Sequence, residues 1–249
     1  MTQTASRLLT GLAAALLVGC SVPGMPHVGG GPLPLYVLAV TSVDPETGNT
    51  AHKAVLNWST AVNAKTYEVQ RKFGDNPVKV LDPVQTTTYT DTTVGAGQSF
   101  TYTVRALSGD TRELTTSDPK TVQVLPAQVA KPTGLQPADN ATVGVGEVPT
   151  FSWQPVEGAN WYYVKVVNLA SGETAYSGLT KNTSLKFGAD SPLKFERFEE
   201  QFPVGAKSSI TRGIVYSWSV SAIRGNVPEL KDVGAVDVNP SAAQKFSQG

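Results

Sequence analysis

The chain has 249 residues, with 20 basic and 20 acidic side chains and a single cysteine. Nucleic-acid binding needs clustered Lys and Arg, and because the charges balance without a block of one sign, the sequence argues against a nucleic-acid partner. One cysteine excludes an internal disulfide and a cysteine-based metal cluster.

The first nineteen residues have the organisation of a secretory signal peptide. Arg7 is the only charged residue before an apolar stretch, LLTGLAAALLV, from Leu8 to Val18. Eleven helical residues span roughly 16 Å, about half of a ~30 Å hydrocarbon core, which is too short to cross a membrane. Such a length is typical of the apolar region of a signal peptide. The stretch runs into Cys20 through the sequence LVGC.

This ending resembles the lipobox of bacterial lipoproteins, in which the cysteine becomes the first residue of the mature chain. A thiolate is the nucleophile suited to accept a diacylglyceryl group as a thioether. The family then acylates the freed amine, for example with palmitate, and two or more chains anchor a protein stably. The resemblance therefore implies that residues 1–19 are removed and that Cys20 attaches the protein to membrane lipid. The alternative is a chance cysteine in an ordinary signal peptide or signal anchor.

The residues around Cys20 indicate a location. Some Gram-negative bacteria place Asp after the lipidated cysteine for inner-membrane retention, whereas this chain has Ser21. By resemblance, the cell envelope is predicted, with the outer membrane favoured. Residues 20–34 are rich in Gly and Pro and almost free of charge. Such a segment cannot bury enough surface to fold, so it is predicted to be a tether.

From Leu35 onward, short alternating runs broken by turn residues predict antiparallel β-sandwiches. The same order of motifs occurs twice. Trp58 precedes Tyr67 by nine residues, and Trp153 precedes Tyr162 by nine. A repeat of about 95 residues is too long for a solenoid unit and indicates two tandem domains.

These motifs resemble the fibronectin type III family, which has Trp on its second strand, Tyr-x-Val on the third and Tyr-x-Val-x-Ala on the sixth. The resemblance implies an all-β chain of two immunoglobulin-like sandwiches without a cofactor, in which the aromatic residues pack the cores. The domains are predicted at 35–125 and 133–240, with a linker at 126–132 and a C-terminal tail at 241–249. The matching residues are Trp58, Tyr67, Val69, Tyr102, Val104 and Ala106, then Trp153, Tyr162, Val164, Val220 and Ala222, with Trp218 replacing the sixth-strand Tyr.

The second domain carries about twenty additional residues, predicted as an insertion at 186–213. Within it, SPLKFERFEEQF has the signals of a short amphipathic helix. Ser191 is a helix cap, Pro192 suits the first turn and Pro203 ends the segment. Its apolar residues recur at helical spacing: Leu193, Phe198 and Phe202.

The third strand of the second domain also differs from that of the first. With Tyr162 facing the core, Trp161, Tyr163 and Lys165 are predicted to point outward, beside Ser217 and Ser219 of the sixth strand. Flat aromatic rings flanked by small hydroxyls are typical of a sugar- or peptide-binding face. The other interpretation is that the insertion covers these aromatic residues.

Catalytic signals are missing from the sequence. His27 falls in the tether and His52 in a polar turn, so no histidine is placed to serve a hydrolytic triad. The Ser117-x-x-Lys and Ser191-x-x-Lys strings lack the companion motifs of serine acyl-enzymes. Acidic residues such as Asp44, Asp75 and Asp82 occur singly near turn residues, not in the clusters that calcium needs. We expect no enzyme, cofactor or metal site.

The sequence thus favours an envelope lipoprotein that acts as a non-catalytic adhesion or protein-interaction module. One alternative is a glycan or peptidoglycan binder that uses Trp161 and Tyr163. Another is a passive spacer or assembly subunit of a surface complex.

Overall fold

The structure is a computed structural model that describes residues 30–191, 195, 197–206, 209–226 and 232–249. These residues form seventeen β-strands, and none of them lies in a helix. The all-β fold class is therefore confirmed. The predicted signal peptide, Cys20 and the tether up to residue 29 lie outside the described residues, as does Leu193 of the insertion.

The strands belong to two β-sandwiches in chain order. The first contains β1 (Leu35–Val43), β2 (Thr50–Trp58), β3 (Thr66–Phe73), β4 (Lys79–Val80), β5 (Thr88–Asp91), β6 (Ser99–Leu107), β7 (Glu113–Thr116) and β8 (Lys120–Gln123). The second contains β9 (Ala141–Val143), β10 (Thr150–Ser152), β11 (Trp161–Asn168), β12 (Thr174–Thr180), β13 (Ser184–Lys186), β14 (Gly205–Ala206), β15 (Val215–Asn226), β16 (Val233–Pro240) and β17 (Gln244–Gln248).

In the first sandwich, β1, β2 and β5 form one layer, and β4, β3, β6, β7 and β8 form the other. Alternate side chains of both layers fill the core, as the two-residue period of a strand requires. Trp58 contacts Tyr67, with ring centroids 5.5 Å apart, and Tyr102 and Val104 are fully buried. The predicted core role of these residues is confirmed. The two layers form a fibronectin type III-like sandwich.

In the second sandwich, β12, β11 and β15 form the larger layer, which β16 and β17 extend. The smaller layer is the β10–β13 pair. Phe151 contacts Trp218 at a centroid distance of 4.8 Å, and Trp153 contacts Tyr162 at 5.2 Å. Trp218 therefore fills the core position at which the family pattern has Tyr.

The two sandwiches share one sheet. β1 and β16 pair in parallel through six residue pairs, from Val37 with Val233 to Ser42 with Val238. As a result, a single ten-stranded sheet runs through both domains. The sequence predicted two separate sandwiches joined by a linker, and the structure adds this direct strand pairing.

The five-stranded layer of the first sandwich and the β10–β13 pair of the second lie on the same side of the shared sheet. On β1, Leu35, Val37 and Ala39 face the first core. Leu38 and Val40 face the opposite side, where they pack with Val236 and other residues of the second domain. β1 is therefore covered on both faces, which is typical of strands in parallel pairing.

The linker is held by two buried polar side chains on the paired strands. Asp237 Oδ2 accepts hydrogen bonds from the backbone N–H groups of Gln128 and Val129, each at 2.7 Å. Its register partner on β1, Thr41, donates from Oγ1 to the carbonyl of Leu125. Both side chains are fully buried. The linker is thus bonded to the β1–β16 pair on both sides of Pro126.

The residues predicted as a C-terminal tail, 241–249, contain a strand instead. β17 pairs with β15 and, in parallel, with β9. Phe246 is buried against Phe151 and Tyr216, with centroid distances of 5.8 and 5.5 Å. Ser241 Oγ accepts from the N–H of Val220, so β15 stays hydrogen-bonded to the chain between β16 and β17.

Gly225 provides a test of the β15–β16 contact. It lies opposite Val236 with φ of +129°, and a Cβ at this position would lie 2.1 Å from the Ala235 carbonyl oxygen. We expect Gly225→Ala to lower the free energy of unfolding by about 2 kcal/mol or more, because both strain and the clash must be relieved. Chemical denaturation measures the change.

Gly109→Ala is the matched control, because its Cβ would meet only Lys65 Cγ, at 3.7 Å. Equal unfolding midpoints for the two variants would contradict the close approach of β15 and β16.

Asp91 predicts a pH dependence of stability. Burial raises the pKa of this carboxyl, but hydrogen bonds from Thr93, Arg71 and Tyr102 outweigh burial and hold the pKa below its ordinary value. A lowered folded pKa stabilises the fold above the unfolded value of about 4, and this contribution is lost as the pH falls further. We expect denaturation midpoints to fall on acidification below about pH 4, and Asp91→Asn to flatten that fall. An unchanged slope would contradict this role.

Candidate functional site: the covered face of the shared sheet

The predicted binding residues lie together on one face of the second domain. Trp161, Tyr163 and Lys165 alternate along β11 on the side opposite the second core. Ser219 lies opposite Lys165, and Ser217 lies opposite Val167 on the neighbouring strand β15. The predicted adjacency of the two strands is thus observed.

The aromatic residues of this face are covered. Trp161 is 7% exposed and Tyr163 is 9% exposed. Phe195 contacts the Trp161 ring edge-to-face at 6.4 Å, and Phe202 contacts the Tyr163 ring at 5.6 Å. The ammonium group of Lys181 lies 4.1 Å from the centroid of the Trp161 ring. Of the two interpretations that the sequence allowed, the structure shows the covering insertion. The aromatic platform of a glycan-binding face is not accessible.

The segment that covers these aromatics, which we call the strap, is residues 187–204 between β13 and β14. Its described residues form successive turns and not the predicted helix: the N–H of Phe198 donates to Phe195 at 2.7 Å, and that of Gln201 donates to Phe198 at 2.9 Å. A helix of this length is marginal on its own in water. Tertiary packing therefore decides the path, and the turns bury Phe195, Phe198 and Phe202 together.

Hydrogen bonds tie the strap to β11 and β12. Tyr163 and Ser177 both donate to the carbonyl of Pro203, at 2.9 and 2.7 Å. Ser191 Oγ donates to the carbonyl of Leu179 and accepts from its N–H. β14 then pairs with β12, so the strap returns to the sheet as an additional edge strand.

The strap also crosses to the first domain. Lys53 on β2 donates to Gln201 Oε1 at 2.6 Å, and Asn57 donates to the carbonyl of Arg197. The Arg197 guanidinium lies 3.9 Å from the centroid of the Tyr36 ring. Burial under this cover lowers the pKa of Lys53. The apolar cluster beneath the strap combines residues of both domains: Leu38, Val40 and Val55 from the first, with Leu179, Ile223, Val236 and Val238 from the second.

Two contributors to this cluster were missed in the sequence. Phe195, Phe198 and Phe202 follow one another at the i, i+3 and i+7 spacing of a single helical face. The sequence therefore carried a signal for Phe195, which the prediction based on Leu193 overlooked. The run LYVLAV at the start of β1 is apolar without alternation. Such a run is a signal of a strand buried on both faces. It contains Leu38 and Val40, which the first domain contributes to the cluster.

The polar residues that the sequence suggested for binding lie at the margin of the covered face. Lys165 is exposed, while Ser217 and Ser219 are half-buried. Ser117, the serine of a candidate Ser-x-x-Lys string, accepts a hydrogen bond from the N–H of Val104 and is buried. His52 is within 2.9 Å of Thr41 Oγ1 through Nδ1.

Metal-ligating side chains are dispersed over the part of the chain that the structure describes. There, no group of three or more His, Cys, Asp or Glu residues is placed to hold a metal ion. The same part of the chain contains no helix long and apolar enough to cross a membrane.

Comparison with known proteins identifies similar solved structures but no family. No protein-family model and no curated protein sequence matches the chain. A Fn3-like protein from Clostridium thermocellum is 26% identical, covers 38% of this chain and 96% of its own, and has a TM-score of 0.26. A segment of two fibronectin type III domains from chicken tenascin is 17% identical, with coverages of 78% and 89% and a TM-score of 0.28. The FN1–FN3 domains of chicken CNTN1 are 14% identical, with coverages of 86% and 65% and a TM-score of 0.37.

The strap provides a test of the covered face. Phe198 is 1% exposed within the shared apolar cluster. We expect Phe198→Ala to lower the free energy of unfolding by about 3–5 kcal/mol, the usual cost of removing a buried ring. Phe73→Ala is the matched control, because Phe73 is 39% exposed. If both variants unfold at the same denaturant concentration, the strap does not stabilise the two domains as described.

Proposed function

We propose that the protein is a lipid-anchored envelope protein whose two sandwiches act as one rigid, non-catalytic protein-interaction module. The observation that carries the proposal is the parallel pairing of β1 with β16. Domains joined by a linker alone are expected to move relative to each other. Here a shared sheet, a bonded linker and a strap connect them, so that the module holds a fixed shape.

The direction of the strands supports display away from an anchor. The chain enters at the start of β1, where Leu33 donates to the carbonyl of Thr116. β1 and β16 run in the same direction, and β17 continues beyond β16 to pair with Val215. The entry point and the end of the second sandwich are therefore at opposite ends of the shared sheet. A tether that ends before Leu33, whose side chain is buried in the first core, holds the module by its first sandwich and presents the second.

The covered face favours a spacer or assembly role over glycan binding. With Trp161 and Tyr163 buried, the sequence-based argument for glycan or peptidoglycan binding loses its aromatic platform. A spacer or assembly subunit of a surface complex remains the second candidate, because a covered apolar face and a fixed interdomain geometry both suit a spacer.

The anchor is tested by Cys20→Ser. We expect the wild-type protein from its native cells to partition into a detergent phase, because the acyl chains attached at Cys20 are apolar. The variant lacks the thiol that accepts the lipid and is expected to stay uncleaved and without the added lipid mass. Intact mass and detergent-phase partitioning measure the difference.

Ser21→Ala is the matched control, because it changes the neighbouring residue and keeps the thiol. Detergent-phase partitioning of Cys20→Ser equal to that of the wild type, with no lipid mass on either protein, would overturn the anchor.

A further inference from the structure

A groove of about 610 Å³ lies between the two sandwiches, on the side of the shared sheet that carries both cores. One wall is β8 of the first sandwich, and the other is the loop containing Gly158 and Asn160 of the second. The floor is formed by the adjoining ends of β15 and β16. The shared sheet is continuous beneath the groove, whereas the layer that lies on it is interrupted between β8 and the second sandwich. The groove thus has the position of an absent strand, and its volume is in the ordinary range for ligand sites.

The wall formed by β8 presents backbone hydrogen-bonding groups to the groove. Val124 donates to the carbonyl of Gln98 at 2.9 Å, and Val122 lies opposite Phe100 in the same ladder. Hydrogen-bonded and non-hydrogen-bonded pairs alternate along an antiparallel ladder. The N–H and C=O groups of Thr121 and Gln123 therefore point away from β6. Both residues are exposed, and both line the groove.

The floor of the groove suits an extended chain. Val233 and Ala235 lie on the face of β16 that carries the two sandwich cores, and they pack against the edge of the first core. Alternate side chains of an added strand would face these small apolar residues, while the others would face solvent.

The charge of the groove favours one kind of segment. Among its described lining residues, Arg224 is the one charged side chain. Its Nη2 donates to the carbonyl of Pro126 at 3.0 Å and forms an ion pair with Asp237 Oδ2 at 3.3 Å. Because Asp237 already compensates the guanidinium, the described lining favours a segment without a charged residue at this point.

We propose that this groove binds an extended peptide segment of a partner protein, which adds as a strand to β8. The segment has small apolar residues at alternate positions. Strand addition to an exposed sheet edge is a recurring mode of peptide recognition, in which main-chain hydrogen bonds supply affinity and alternate side chains supply specificity. This inference rests on the proposed function as an interaction module.

The test uses peptides selected from a random displayed library against the purified full-length protein. Selected peptides are expected to carry small apolar residues at alternate positions, and to slow the hydrogen exchange of the Thr121 and Gln123 amides. Gln123→Pro removes one outward N–H and leaves the ladder with β6 in place. We expect it to weaken peptide binding at least tenfold. Gln123→Thr keeps the N–H and is expected to bind as the wild type does.

Failure to select any binding peptide would overturn the proposal. Peptides that slow exchange only at other amides, or that bind Gln123→Pro as tightly as wild type, would do the same. If Gln123→Pro does not fold, the proposal is tested by hydrogen exchange of the Thr121 and Gln123 amides in the wild-type protein, with and without peptide. The Cys20→Ser experiment is independent: loss of the anchor leaves the groove result standing, and loss of groove binding leaves the anchor standing.

Discussion

The parallel pairing of β1 with β16 is the constraint on which the other interdomain features depend. Six residue pairs join the first strand of one sandwich to the penultimate strand of the other. Because parallel strands are buried on both faces, β1 contributes to the first core on one side and to the strap cluster on the other. The linker bonds to this pair, the strap lies across it and the groove lies above it. A change that separates the two strands therefore affects all three features.

Buried polar groups fix the register of this pairing. Thr41 and Asp237 are direct partners, and each bonds to the linker. A slip of one residue along β1 moves every side chain to the other face of the sheet, which places Leu38 and Val40 in the wrong layer. It also separates Thr41 from Leu125 and leaves a buried hydroxyl without its acceptor, which costs free energy. The polar pair and the apolar alternation thus specify the same register.

The sequence predicted the features that depend on local pattern. The two-residue period and the repeated Trp and Tyr spacing predicted both sandwiches, and alternation along β11 predicted the outward direction of Trp161 and Tyr163. The shared sheet was not predicted, because pairing between residues nearly two hundred positions apart leaves no local spacing. The strap was predicted as a helix because its apolar spacing suits one, but in a short segment tertiary packing outweighs helical propensity. Phe246 was missed because three residues without strand structure, 241–243, separate β17 from β16, and this interruption has no sequence pattern of its own.

Amide hydrogen exchange along β1 tests the central claim, that one sheet makes the two sandwiches a single rigid body. The Val37 N–H donates to the Asp232 carbonyl, so alternation directs the amides of Val37, Ala39 and Thr41 toward β16 and those of Leu38 and Val40 toward β2. The account predicts that both sets exchange at the slow rate of a central strand. Fast exchange of the first set alone, with the second set still protected, would show β1 to be an open edge and would contradict the shared sheet.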